Sequence, residues 1–218
     1  MAGKVRIKRG DVWAERLQEE LTAYPEGAAE WMEEHTQILN STVDSLSGLL
    51  RLDDELAYLK LYRFTSFRSK LQYRFGRAQS MRIYRRVLAL GEKGIAVPQQ
   101  LACLAVPQGT LLVTEGFASG GNLAELWYKR DNEDGFDTVL RSAGETLAKL
   151  HAAGYTYGDT RWLNLFWNGQ SVYLTDFNTT RKTRVGGIQQ ARDLRMGQAL
   201  ATAPAPALLI AGAYHVRR

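Results

Sequence analysis

The sequence predicts an α+β protein with two lobes, a small antiparallel sheet that carries one main helix and then a short, mainly helical part. Short apolar runs of strand length occur between about residues 37 and 117, separated by polar turns and one helical stretch, whereas helical periodicity dominates afterwards. Glycines interrupt both patterns between Gly116 and Gly121. We therefore expect the chain to pass from the first lobe to the second at that point.

The composition is that of a folded globular protein. The chain has 218 residues, of which 45% are hydrophobic and 23% charged, enough to bury a sizeable core. Cys103 is the single cysteine, which excludes an intramolecular disulfide and a cysteine-rich zinc site. No apolar run approaches the roughly 20 residues of a spanning helix, and no signal-type segment begins the chain. These features predict a cytoplasmic protein.

The first 36 residues are expected to form a helical extension. Asp11 can cap a helix that ends at Pro25, and a second helical stretch follows over residues 28–35. Between Gln37 and Tyr62 the pattern changes to three short strands separated by polar turns, which is typical of an antiparallel meander.

A basic helix and two further strands complete the predicted first lobe, residues 37–117. Helical spacing extends from Ser66 to Glu92, and the apolar runs LACLAV and TLLVTEGF flank a turn at Pro107. The second lobe, residues 118–218, is expected to contain two helices over residues 122–130 and 136–153, two brief strands (LFW and VYLTDF) and a last helix over residues 188–201.

Positive charge is concentrated in one segment. Between Leu56 and Gly91 the sequence has nine basic residues and no acidic one, although the whole chain has a formal net charge of only +5. Aromatic residues interleave with these charges from Arg63 to Arg86, a pattern that suits an anionic lipid surface or a nucleic acid. A solvated helix face is the alternative interpretation.

The strongest chemical signal lies between Asp159 and Asp176. Asn164 follows Asp159 by five residues, and an apolar strand then ends at Asp176. Phosphoryl transfer from ATP needs a carboxylate that orients and deprotonates the attacking hydroxyl, for which Asp159 is the candidate. It also needs oxygen ligands for Mg²⁺, which the side chains of Asn164 and Asp176 can supply. Lys60, inside a strand of apolar and aromatic residues, is the candidate cation for the nucleotide phosphates.

These residues resemble the protein-kinase-like superfamily and, within it, the lipopolysaccharide kinases, small bacterial enzymes that phosphorylate Kdo or heptose sugars of the inner core. Asp159 and Asn164 keep the spacing of the kinase catalytic loop, and Asp176-Phe177 keeps its place, with Asn178 where glycine is usual. Lys60 is similar to the kinase strand lysine. The resemblance covers roughly residues 38–200 and implies a bilobal protein-kinase-like fold.

The resemblance also implies ATP and Mg²⁺ as cofactors and a heptose or Kdo hydroxyl of lipopolysaccharide as acceptor. Glu115 to Phe117 would supply backbone groups to adenine. The acceptor glycolipid places the enzyme at the cytoplasmic face of the inner membrane as a peripheral protein, with the segment Arg63–Arg86 facing the anionic lipid rather than a nucleic acid.

Two departures from the kinase pattern keep other functions open. No acid occurs between Glu55 and Glu92, so the helix glutamate that pairs with the strand lysine is missing, and its expected position is near Ile83. No glycine-rich loop is visible either, and backbone N–H groups of Ser41 to Ser47 are expected to cover the phosphates instead. A minimal protein kinase or tRNA-modification-associated kinase and a nucleotide-binding pseudokinase or scaffold remain alternatives.

Overall fold

A computed structural model describes residues 4–10, 12–74, 78–129 and 134–199. The predicted helix cap Asp11, helical residues 75–77 and 130, and the end of the last predicted helix at residues 200–201 lie outside these ranges. The chain divides into two compact units: unit 1 is Met1–Leu88 with Gln99–Ala118, and unit 2 is Ala89–Pro98 with Ser119–Arg218. None of the helices in the described ranges is long and apolar enough to cross a bilayer.

Unit 1 contains a six-stranded antiparallel sheet with the strand order β1-β5-β6-β4-β3-β2. Its strands are β1 (Arg6–Gly10), β2 (Gln37–Ser41), β3 (Ser45–Leu52), β4 (Glu55–Arg63), β5 (Gln100–Val106) and β6 (Gly109–Glu115). The meander and the later strand pair were predicted, whereas β1 was not. Its sequence RIKRG is mostly basic, and it becomes a strand by pairing with the apolar β5.

The helices α1 (Val12–Ala23) and α2 (Ala28–His35) confirm the two helices expected in the first 36 residues. They contribute Leu17 and Met32 to a buried core that also contains Leu59 and Leu61 of β4. Side chains alternate along a strand, so Lys60 lies on the opposite face of the sheet from this core.

The single helix predicted over residues 66–92 is instead two helices, α3 (Phe67–Arg74) and α4 (Gln79–Gly91). Ala78, the described residue that precedes α4, is not helical. In α4, Ser80 is buried and its hydroxyl donates to Thr110 of β6 at 2.8 Å.

Unit 2 is mainly helical and confirms the predicted order of elements. Its helices are α5 (Leu123–Lys129), α6 (Asp134–Ala152) and α7 (Ile188–Ala199). Strands β7 (Gly121–Asn122), β9 (Leu165–Trp167) and β10 (Val172–Leu174) form one small sheet, and β8 (Tyr155–Thr156) pairs with β11 (Arg181–Lys182) in another. Sequence reasoning missed β7, β8 and β11, which have two residues each and no pattern of their own.

Candidate active site

The loop that contains Asp159 lies in unit 2 between β8 and a 3₁₀ turn over Trp162–Asn164. Gly158 has a φ of +83°, a backbone conformation that glycine adopts without strain, and a Cβ there would approach Thr179 at 3.0 Å. At the other end of the loop, Trp162 is buried and packs edge-to-face against Trp127. Trp162 therefore fixes the loop to the core of unit 2.

Asp193 of α7 anchors the same loop from below. Its carboxylate is buried and accepts hydrogen bonds from the Thr156 hydroxyl at 2.6 Å, the Gly158 N–H at 2.7 Å, the Tyr157 N–H and the His151 ring at 3.0 Å. Burial alone would raise the pKa of Asp193, but these donors together hold it below its usual value. Asp193 and His151 therefore have structural roles, because their contacts hold the loop that contains Asp159.

The Asp159 carboxylate is held by a neighbour in its own loop. Arg161 donates to both carboxylate oxygens, each at 2.7 Å. Asp159 is 21% exposed and Arg161 57% exposed, so the pair lies at the surface. The hydrogen bonds from Arg161 keep the pKa of Asp159 below its usual value, although desolvation acts in the other direction. Asp159 is consequently ionised at neutral pH, as a proton acceptor must be.

Asn164 and Asp176 are joined by a buried tyrosine. The hydroxyl of Tyr157 donates to the Asn164 carbonyl oxygen at 3.1 Å and accepts a hydrogen bond from the Asp176 N–H at 3.2 Å. Tyr157 is fully buried, and desolvation raises the pKa of its hydroxyl far above the usual value, so the proton is retained. Its ring packs edge-to-face against Phe177 at 5.9 Å. One side chain thus sets the spacing of both segments that carry the predicted metal ligands.

Sequence reasoning missed this role of Tyr157. The available signal was a tyrosine where histidine is commoner in the kinase pattern, two residues before Asp159. Its partners lie seven and nineteen residues further along the chain, so no local pattern reveals the bridge.

Tyr157→Phe is expected to raise the Mg²⁺ concentration that activity requires. The variant keeps the ring but removes two hydrogen bonds worth about 1 kcal/mol each, so we expect kcat/KM for MgATP to fall by up to about 30-fold. The measurement is a Mg²⁺ titration of phosphoryl transfer, with Tyr155→Phe as a control at another buried tyrosine. An unchanged Mg²⁺ titration in Tyr157→Phe would mean that the bridge does not position the ligands.

The side chains of Asn164 and Asp176 suit a hard cation. The Asn164 amide nitrogen donates to the Asp159 carbonyl oxygen at 3.1 Å, which leaves the amide oxygen as the ligand atom. Each oxygen of Asp176 accepts a hydrogen bond from Asn178, at 3.0 Å and 3.3 Å, and a carboxylate oxygen has a further lone pair for a metal. An amide and a carboxylate oxygen are ligands that Mg²⁺ accepts.

Lys60 lies in the middle of β4 in unit 1. It is opposite Ser47 of β3 and Leu112 of β6, and its ammonium lies 5.4 Å from the ring centroid of Tyr62. Ile83 of α4, where the kinase pattern places a glutamate, is 4% exposed. An isoleucine has no charge, so residue 83 cannot supply the carboxylate that the kinase pattern places there.

The turn between β2 and β3 is closed by its own hydrogen bonds. The Thr42 N–H donates to the Ser45 carbonyl at 2.7 Å, the Ser45 N–H donates to the Thr42 hydroxyl at 3.0 Å, and Arg63 donates to the Thr42 carbonyl at 2.6 Å. Two N–H groups of the expected phosphate-covering stretch are therefore already used. Register places Ser47 beside Lys60, whereas Ser41 pairs with Leu46, whose side chain is in the core.

The predicted adenine-binding residues follow the end of β6. The Glu115 N–H donates to the Gln99 carbonyl at 2.9 Å, so the backbone of Glu115 can offer a nucleotide only its carbonyl oxygen. Phe117 lines a cavity of about 420 Å³ in unit 1 together with Leu49 and Leu56. This volume lies within the range of small-molecule sites, roughly 300–1,000 Å³.

The structure thus places Asp159, Asn164 and Asp176 together in unit 2, within one network built on Tyr157. The unit 1 residues from the sequence analysis are Lys60, Ser41, Ser47, Glu115 and Phe117. Within that unit, register brings Lys60 and Ser47 side by side, whereas Ser41 is on the other face of the sheet.

Comparisons with known proteins bear on the family and the fold of this chain. The model of the lipopolysaccharide kinase (Kdo/WaaP) family matches residues 28–200. A solved structure of WaaP in complex with acyl carrier protein resembles this chain with a TM-score of 0.59 and 15% identity, covering 98% of this chain and 90% of that chain. This likeness confirms the predicted α+β, protein-kinase-like fold.

A curated relative matches only a short stretch. A probable bifunctional tRNA threonylcarbamoyladenosine biosynthesis protein of Methanocorpusculum labreanum is 44% identical over 47 residues, which is 22% of this chain. The match spans 9% of that protein's length.

Proposed function

We propose, since this chain belongs to the lipopolysaccharide kinase (Kdo/WaaP) family, that it transfers the γ-phosphoryl group of ATP to a heptose or Kdo hydroxyl of the lipopolysaccharide inner core. The observation that carries the proposal is the network of Asp159, Asn164 and Asp176 around Tyr157. It combines an ionised carboxylate with two oxygen ligands, the groups that phosphoryl transfer requires.

Asp159 acts in this proposal as the catalytic base. Its carboxylate orients the acceptor hydroxyl and takes its proton as the hydroxyl oxygen attacks the γ-phosphorus of ATP. Arg161 donates one hydrogen bond to each carboxylate oxygen in the structure, and each oxygen keeps a further lone pair that can accept from the acceptor hydroxyl. The guanidinium then lies beside the attacking oxygen, where it can stabilise charge that develops on the phosphoryl group.

Asn164 and Asp176 would hold Mg²⁺, which neutralises phosphate charge and orients the γ-phosphoryl group when it is bound. Lys60 would supply a positive charge to the phosphates of ATP. Ser47, beside Lys60 in a strand that is paired on both sides, would contribute its hydroxyl to the phosphates, and Ser41 of the edge strand β2 would contribute its backbone N–H group. The Glu115 carbonyl and the backbone of Phe117 would bind adenine, with the cavity beside Phe117 receiving the base.

The proposed domains are an extension of residues 1–36, a first lobe of residues 37–117 and a second lobe of residues 118–218. Because its acceptor would be a membrane glycolipid, the protein would act at the cytoplasmic face of the inner membrane. The segment Arg63–Arg86 would face the anionic lipid. Within it, Phe67 and Leu71 of α3 are 80% and 42% exposed, and Lys70 and Arg82 are exposed as well. Exposed apolar and cationic side chains together favour a lipid surface.

Arg161→Gln is expected to move the acidic limb of the activity profile to higher pH. Arg161 stabilises the ionised form of Asp159, so its removal raises the pKa of that carboxyl, and protonation then abolishes the base at a higher pH than in the parent protein. The measurement is kcat against pH, with the exposed Arg141→Gln as control. Superimposable acidic limbs for Arg161→Gln and the parent would contradict the assignment of Asp159 as base.

The proposed function is tested by incubating the purified protein with γ-labelled ATP, Mg²⁺ and dephosphorylated inner-core lipopolysaccharide. We expect label in the glycolipid and none when Asp176→Asn is used. Casein and tRNA serve as competing acceptors in parallel reactions. Label in either of these and none in the glycolipid would overturn the substrate assignment.

A second candidate is a kinase associated with tRNA modification, and the 47-residue match to the Methanocorpusculum labreanum protein favours it. The basic segment Arg63–Arg86 would then face RNA. Binding of tRNA that falls steeply with salt concentration would support this function, because each phosphate contact releases counterions.

A further inference from the structure

A second cationic surface lies in unit 2, between Asp176 and Asp193. The sequence there has four basic residues and no acidic one. The side chains of Arg181, Lys182 and Arg184 are all exposed. This stretch is separate from the basic segment Arg63–Arg86 of unit 1.

The backbone fixes this stretch beside the loop that carries Asp159. In the β8–β11 pair, Arg181 is opposite Thr156 and Lys182 opposite Tyr155, and the Thr183 N–H donates to the Gly154 carbonyl at 2.9 Å. Two further bonds tie the start of the stretch to the loop, since the hydroxyls of Thr179 and Thr180 donate to the Tyr157 carbonyl at 3.0 Å and 3.1 Å. Tyr157 is two residues from Asp159.

These charges are not used to stabilise the described part of unit 2. Among the described residues, the salt bridges involve neither Arg181, Lys182 nor Arg184, whereas Arg161 is engaged by Asp159. The acid that follows the stretch, Asp193, is buried beneath the loop. The three cations are therefore available to an external anion.

Exposed aliphatic side chains accompany the three cations. Val185 is 56% exposed and Ile188 is 69% exposed, and Leu163 of the 3₁₀ turn after Asp159 is 60% exposed. Cations followed directly by aliphatic groups match an amphiphile that has an anionic head and acyl chains. They suit RNA less well, because Val185 and Ile188 offer no ring on which a base can stack.

We propose that residues 181–188 form the acceptor-docking surface, in which Arg181, Lys182 and Arg184 contact anionic groups of the acceptor glycolipid and Val185 and Ile188 contact its acyl part. The acceptor's identity rests on the proposed function. The surface itself rests on charge, exposure and its attachment to the loop of Asp159.

The test measures cosedimentation of the full chain with phosphatidylcholine vesicles that contain inner-core lipopolysaccharide. The triple variant Arg181→Gln, Lys182→Gln, Arg184→Gln is expected to bind about 100-fold more weakly, because each basic residue near an anionic surface strengthens binding about fivefold. The matched control removes three exposed cations from α5 and α6 by Lys129→Gln, Arg141→Gln and Lys149→Gln, and it should bind like the parent. Thermal melts establish that every variant is folded.

The apolar half of the surface has its own variant pair. Val185→Ser with Ile188→Ser should weaken binding to acylated lipopolysaccharide several-fold and leave binding to deacylated lipopolysaccharide unchanged. Tyr128→Ser, at a side chain 84% exposed on α5, is the control and should change neither. Equal binding of the parent and both surface variants would overturn the proposal.

Two further outcomes would also overturn it. One is an equal loss on vesicles that contain phosphatidylglycerol and no lipopolysaccharide, which would indicate a general membrane contact. The other is a loss of tRNA binding alone, which would indicate an RNA surface.

Label transfer separates this proposal from the proposed function. If the parent fails to label the glycolipid but the triple variant still loses vesicle binding, only the function fails, whereas transfer with an unchanged KM in the triple variant refutes only the docking surface.

Discussion

Asp159→Ala is expected to lower kcat for phosphoryl transfer by at least ~100-fold, the low end of general-base contributions. The substitution removes the carboxylate that receives the acceptor proton and also releases Arg161 from its two hydrogen bonds. We expect KM for ATP to change little, because Asn164 and Asp176, which would hold the Mg²⁺ that accompanies ATP, remain. The measurement is steady-state kinetics with labelled ATP and a saturating acceptor.

Asp54→Ala is the matched control, since Asp54 is an exposed carboxylate in the turn after β3. It should retain the parent activity. Activity of Asp159→Ala within a few-fold of the parent would show that this carboxylate is not the base. If cells that produce only the Asp159→Ala variant keep the cellular role of the protein, the pseudokinase interpretation gains support. The same interpretation is suggested by the absence of an acid at Ile83.

Asp193→Asn is expected to lower the free energy of unfolding by about 3 kcal/mol. The buried carboxylate accepts hydrogen bonds from two backbone N–H groups, one hydroxyl and one imidazole. An asparagine amide would turn an N–H₂ group toward some of these donors and leave them unsatisfied. The measurement is urea unfolding at neutral pH, with Asp54→Asn as an exposed control that should change stability by less than about 0.5 kcal/mol.

The Asp193 network also predicts a pH dependence. Because the folded state holds the pKa of Asp193 below the unfolded value of about 3.9, the stabilisation is complete well above that value and is lost as pH falls through the lower, folded pKa. The stability difference between the parent and Asp193→Asn should therefore shrink as the solution is acidified. A difference that stays constant into this acidic range would contradict the contribution of the ionised carboxylate.

Local sequence reasoning predicted the parts of the site that depend on short spacing. Asp159 and Asn164 are five residues apart in one loop, and the alternation of β4 was enough to separate Lys60 from the core residues Leu59 and Leu61. The strands of the meander and the helices of unit 2 have periodic patterns of their own, so their existence could be predicted from the residues alone.

Contacts between distant residues could not be predicted in this way. Tyr157 bridges to residues seven and nineteen positions away, and Asp193 accepts bonds from donors 35 to 37 positions earlier at the loop and from His151 of α6, 42 positions earlier. Strand β1 forms because β5, far along the sequence, offers a partner. The two-residue strands β8 and β11 are too short to have a sequence pattern of their own. Their pairing nevertheless brings the cations at 181–184 beside the loop of Asp159.

The central claim is that Asn164 and Asp176 together hold the cation that accompanies ATP. Isothermal titration of ATP into the parent, Asn164→Ala and Asp176→Asn, each with and without Mg²⁺, tests it most directly. We predict that Mg²⁺ strengthens ATP binding to the parent and that this enhancement is lost in both variants, while Asn168→Ala, in the turn between β9 and β10, keeps it. An enhancement of the same size in all four proteins would contradict the account.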